Sequence, residues 1–276
     1  MSFTDVWDAN PQDGNWNNPN NWSTGTVPNG SQDGGAFCAA SSITALTIEY
    51  LWFPPPIEIE AGAPAYSFNL TGSFTDAYSI GNDSSNVLSI SLTSAPLAIL
   101  QLSGAIFGAV SFTTDSNSQL DFEDYNYSSQ TDNGVIITTN GLVYFTGLGR
   151  IGNGDATAGS AQLITNAGGV VDFSGSTGEA GDYQVSAGSI EGAGTYDLGS
   201  NQLTVGSEGL STEVSGSIND GGAYGGSGAS LVMEAGTNKR STTVGPRMET
   251  VKTDFMFYRP LGNSDSFGNS QAVPRD

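Results

Sequence analysis

The run SQLDFED at residues 118–124 is followed by GLVYFTG at 141–147 and by AQLITNAGGVVDFSG at 161–175. In each, an apolar residue stands two places before a phenylalanine, and the markers Phe122, Phe145 and Phe173 lie 23 and 28 residues apart. Side chains two apart share one face of a strand, so Leu120 and Phe122 point to a core while Asp121 and Glu123 face the other way. The Val110–Phe112 pair comes earlier and fits the spacing less evenly. Working outward, similar short runs recur from about residue 36 to 235, among them SITALTIEYLWF (42–53), NVLSISLTS (86–94), GVIITTN (134–140) and NQLTVGS (201–207). Gly, Asn, Ser and Asp punctuate them. Imperfect recurrence at roughly 20–28 residues is what stacked coils produce, which predicts an all-β chain folded as a right-handed parallel β-helix. The rival is a β-sandwich, which also yields short strands at regular intervals. Strands continuing over some 200 residues without a second boundary, and turns rich in Gly and Asn, favour the solenoid. About nine coils of roughly 22 residues would make a rod about 40–45 Å long.

Composition agrees. Hydrophobic residues are 37% of the 276 and charged residues 13%, while glycine takes 38 positions. Gly and small polar residues disfavour helices, and 10% aromatics still allow a packed core. The chain contains no histidine, which excludes Ser-His-Asp and Cys-His nucleophiles, histidine proton shuttles and histidine metal sites. A single cysteine, Cys38, excludes an internal disulfide, a thiolate zinc site and a CxxC pair. The net charge of −21 argues against nucleic acid or anionic lipid as partner.

The charge is unevenly placed. The first 235 residues hold one basic residue, Arg150, against 24 acidic ones; the remainder holds six basic and four acidic. Three regions follow: a Trp-rich N-terminal cap over 1–35, a solenoid over 36–235, and a tail over 236–276 expected to be disordered apart from a short strand at 254–258. The opening MSFTDVWDANPQDG lacks the charged and apolar parts of a secretory signal, and the most apolar run, Leu97 to Val110, is too short to span a bilayer. The chain as written is expected to be soluble and monomeric.

At GNWNNPNNWSTGTVP (14–28) the chain resembles the opening of passenger regions in bacterial autotransporters. AQLITNAGGVVDFSGSTG (161–178) and AGSIEGAGTYDLGSNQLTVGSEGLSTEVSGSINDGG (187–222) resemble the autotransporter-associated β-strand repeat. The resemblance covers about residues 5–232 and is weakest over 42–130. It implies a non-catalytic structural or adhesin module at the bacterial cell surface or outside the cell, whose parent carries an outer-membrane β-barrel. It also implies that GASLV (228–232) should run on into further coils; the change of character near Gly236 then reads as a frameshift or rearrangement, and the absent signal as an incomplete front.

Candidate sites are few. Trp16 and Trp22 are expected to cover the apolar end of the first coil; the alternative is a sugar-stacking platform. A stand-alone secreted carbohydrate-binding solenoid would use Trp16, Trp22, Tyr125 and Tyr127, with a host or matrix glycan or protein as partner. Asp121, Glu123 and Asp124 are the densest acidic group and read as a solvated face rather than catalytic carboxylates. A pectate-lyase chemistry needs basic residues that the body lacks. The turns Gly152–Asp155 and Asn219–Gly222 match neither calcium-loop pattern. No catalytic residue, metal or cofactor is expected.

Overall fold

The computed structural model describes residues 5–28, 35–37, 41–49, 56–77, 79–93, 98–102, 106–124, 134–147, 155–234 and 250–252. They form a parallel β-solenoid of about six turns. Two seven-stranded sheets run its length. One holds Ala45–Ile48, Ser67–Leu70, Leu88–Leu92, Val110–Thr114, Val135–Thr139, Gln162–Thr165 and Ser189–Glu191. The other holds Ser73–Ala77, Ala98–Leu102, Ser118–Asp124, Leu142–Gly147, Val170–Gly175, Thr195–Asp197 and Ser217–Asn219. A five-stranded sheet from Asp5–Trp7 to Ile106–Gly108 flanks the first coils, and a four-stranded sheet from Gln184–Ala187 to Thr250–Lys252 flanks the last. Each strand pairs in parallel with its counterpart one coil away, which excludes the antiparallel sandwich.

Register explains the uneven spacing. In the first long sheet Leu46, Phe68, Ile90 and Phe112 face one another at steps of 22 residues. The next steps, to Ile137, Leu163 and Ile190, take 25, 26 and 27. The strands stay in line while the turns lengthen. Seven strands make six steps, or about 29 Å at roughly 4.8 Å per step. Each long sheet is shorter than the nine-coil expectation chiefly because it runs only from Ala45 to Glu191 or from Ser73 to Asn219, and to a smaller extent because the later coils use more residues.

The core is a set of side-chain columns along the stack. The three phenylalanine markers form one: Phe122 and Phe145 stack with centroids 4.8 Å apart and planes at 6°, Phe145 and Phe173 at 4.6 Å and 9°. Polar columns run beside it, with Thr114 and Thr139 sharing a buried hydroxyl hydrogen bond of 2.7 Å and Asn166 Nδ2 donating to Asn140 Oδ1 at 3.0 Å.

At the N-terminal end, residues 14–16 add a rung to the first long sheet. Thr47 N donates to the Gly14 carbonyl at 2.8 Å and Trp16 N to the Thr47 carbonyl at 3.0 Å. Trp7 and Trp16 both lie edge-on to Trp22, at 5.2 and 4.6 Å between centroids. Trp22 Nε1 donates to the Trp16 carbonyl at 2.8 Å, and Trp7 Nε1 to the Ile43 carbonyl at 3.1 Å. A single 3-10 turn, Pro19–Asn21, connects these rings, its start capped by Asn18. Buried Asn21 fastens the segment by donating to Asp13 Oδ1 at 2.8 Å and the Asn15 carbonyl at 2.9 Å. The Asn21 bond to Asp13, with donors from the Asn15 backbone N–H and Asn18 Nδ2, holds the exposed Asp13 carboxyl below its usual range.

In the tail, Thr250–Lys252 pairs with Ser230–Met233; the expected strand at 254–258 and the other residues of 236–276 lie outside the described residues. Among the described residues no helix is long and apolar enough to cross a membrane.

Candidate functional site

The outer face of the second long sheet carries an unusual row of side chains. Alternation sends Leu120 and Phe122 inward and Gln119, Asp121 and Glu123 outward. Parallel in-register pairing then lines up Gln101, Asp121, Tyr144, Asp172, Asp197 and Asn219 across successive coils. Beside this row, Glu123 stands opposite Thr146.

One turn folds back over the row. After Asn219 the chain passes through Gly221 and Gly222, both with positive φ, at 88° and 125°. A Cβ at Gly222 would sit 2.6 Å from Asp172 Oδ1, so only glycine permits this approach. The turn is then tied to the sheet: Ala223 N donates to Asp172 Oδ2 at 2.7 Å and Tyr224 N to Ser174 Oγ at 3.0 Å. Ser174 N in turn donates to Asp172 Oδ1 at 2.7 Å. The Tyr224 ring lies across Gly175, where a Cβ would come within 2.9 Å of it.

The result is a cleft of about 210 Å³ lined by Gln119, Asp121, Glu123, Tyr144, Thr146, Ala223 and Tyr224. Asp121 forms part of its floor and is 6% exposed. Burial pushes its carboxyl up to about 6, with a smaller push from the Glu123 charge. Gln119 Nε2, which donates to both Asp121 oxygens at 2.9 Å, works against that shift. Gln101 Nε2 donates to Glu123 Oε1 at 3.0 Å. Burial, reinforced by the Asp172 and Asp121 charges, raises the Tyr144 phenol; burial, then Asp121 and Glu123, raises Tyr224. Farther along, burial raises Asp197 against a hydrogen bond from Asn219 Nδ2 at 3.1 Å. The cleft is therefore polar, negative in potential and walled by two phenol rings.

Several expected positions fare differently. Trp16 and Trp22 are 0% and 2% exposed; their faces are used up by each other and by Trp7 and Phe68, which corrects the sugar-platform alternative. Tyr125 and Tyr127 lie outside the described residues, as do Cys38 and Arg150. The acidic group at 121–124 is not uniformly solvated, because the turn over the row covers Asp121. In the Asn219–Gly222 turn, Asn219 donates to Asp197 and Asp220 Oδ2 accepts from Gly228 N at 3.2 Å. Tyr144, Asp172 and Tyr224 escaped sequence reading. Their only signal was the row position of Tyr144 and Asp172, each immediately before a residue of an apolar-x-Phe pair.

Comparison of this chain with protein-family models, curated proteins and solved structures finds no match, so the fold and the cleft rest on their own geometry.

Proposed function

We propose that the chain is a non-catalytic structural module of the autotransporter-passenger type: a rod that presents its outer faces and turns outside the cell. The observation that carries this reading is the uninterrupted column Phe122–Phe145–Phe173, stacked along the axis at 4.8 and 4.6 Å. Such a column spends the chain's bulky residues on stiffness along one direction. Each strand pairs with its counterparts on the adjacent coils, so the architecture extends by repetition. The resemblance of residues 14–28 and 161–222 to passenger sequences points the same way, and the acidic exterior keeps such a rod soluble.

The full chain, fused between a secretory signal and an outer-membrane β-barrel in a Gram-negative host, tests the reading. The expected result is a protease-resistant product on the cell surface, with no release of reducing ends from a panel of polysaccharides. Retention inside the cell with degradation would overturn the passenger reading. Turnover of any glycan, abolished by Asp121→Asn, would overturn its non-catalytic part.

A further inference from the structure

We propose that the cleft between Tyr144 and Tyr224 binds one neutral pyranose ring of a glycan. Tyr224 is 66% exposed, more than the other large apolar or aromatic side chains that stand out from the described surface, such as Tyr183 at 51%. Its ring contributes little to the core, yet its position is fixed. Two backbone hydrogen bonds tie residues 223 and 224 to Asp172 and Ser174, and Gly175 leaves the space that the ring occupies. An aromatic face held in place before binding loses little entropy when a ligand stacks on it. The C–H face of a pyranose is apolar and matches such a ring.

The floor supplies the complementary half. Gln119, Asp121 and Glu123 line the cleft with Tyr144 and Thr146, and the Thr146 hydroxyl itself donates to the Phe122 carbonyl at 3.5 Å. A carboxylate offers about four acceptor sites; Gln119 Nε2 contacts each Asp121 oxygen once, at 2.9 Å, which leaves acceptor capacity for the vicinal hydroxyls of a sugar. The volume of about 210 Å³ falls below the roughly 300–1,000 Å³ of pockets that engulf drug-sized ligands. One ring fits, with the rest of the glycan in solvent. Charge sets the class: among the described residues two carboxylates and no basic side chain line the cleft, and the chain carries −21 overall. Uronic acids, sialic acids and sulfated sugars are repelled.

The site lies on the flank of the rod, and its binding is read with purified protein, separately from surface display. A glycan array probed with the full chain at pH 7.5, followed by calorimetry on the best ligand, tests it. Neutral hexose-terminated glycans should bind. Tyr224→Ala should weaken that binding about tenfold or more without lowering the melting temperature, since the ring is exposed. Tyr224→Phe should retain it within about threefold, because the stacking face survives. Tyr183→Ala, outside the cleft, should bind as the wild type does. If Tyr224→Ala melts early, Gln119→Ala replaces it, with the same expected loss. Equal binding by the Tyr224→Ala or Gln119→Ala protein would overturn the proposal. So would an array with no neutral ligand, a preference for acidic glycans, or capture of spermidine in place of sugars. A chain that binds sugar but fails to reach the cell surface would overturn only the passenger reading.

Discussion

Asp121 combines two placements that pull in opposite directions. Strand alternation turns its carboxylate outward, and the tyrosine-bearing turn then removes most of its water, leaving a carboxyl raised to about 6 from an ordinary 3.8. On acidification the folded state therefore takes up the proton before the unfolded state does. This group's contribution to stability is fully present below about pH 4 and fades as pH rises through about 6. After allowance for partial solvation the effect is about 1–2 kcal/mol, and the raised carboxyl of Asp197 acts in the same direction. Asp121→Asn keeps an oxygen for Gln119 and removes the buried charge. Its melting temperature at pH 7.5 should exceed the wild-type value by about 2–6 °C, and the two proteins should converge near pH 4. A variant that melts lower at pH 7.5 would mean that the carboxylate is stabilised by partners beyond Gln119.

Among the strands, the phenylalanine column is the part of the fold that reads most directly from the sequence. An apolar residue two places before Phe122, Phe145 and Phe173 was enough to mark equivalent strands, because parallel pairing brings equivalent positions together, and the bulge that follows Tyr144 still leaves Phe145 and Phe173 stacked. Phe145, with a ring on either side, should be the costliest member to lose. Phe145→Ala should cost about 3–5 kcal/mol in urea denaturation, and Phe145→Leu less, since it fills part of the cavity. A loss under about 1 kcal/mol would mean the neighbouring rings collapse into the gap. The cleft was less legible for a physical reason. Asp121 and Tyr224 are 103 residues apart, and what joins them is the turn geometry at Gly221 and Gly222 with the hydrogen bonds to Asp172 and Ser174. Hydrophobic periodicity carries no information about such a closure. The tryptophans show the opposite case: their clustering was visible, but only the edge-to-face packing decided between a buried cap and an exposed platform.

Along the whole rod, strand pairing joins each coil to its neighbours, and the turn at residues 221–224, tied to Asp172 and Ser174 two coils back, is a longer-range tie near the far end. Damage at the N-terminal end should therefore stay near that end. The first long sheet begins at Ala45–Ile48, and the rung at residues 14–16 covers its outer edge, with Trp22 packed between Trp7 and Trp16. Trp22→Ala removes the central ring of that cap. A cavity of this kind costs about 3–5 kcal/mol locally and frees strand edges that otherwise meet the rung. Amide hydrogen exchange should then show faster exchange across residues 41–92, while residues 162–233 keep wild-type protection. The stacked phenylalanines between these regions set where the effect fades. If protection fell equally from one end to the other, the solenoid would be a single cooperative unit, and its coils could not be treated as nearly independent repeats.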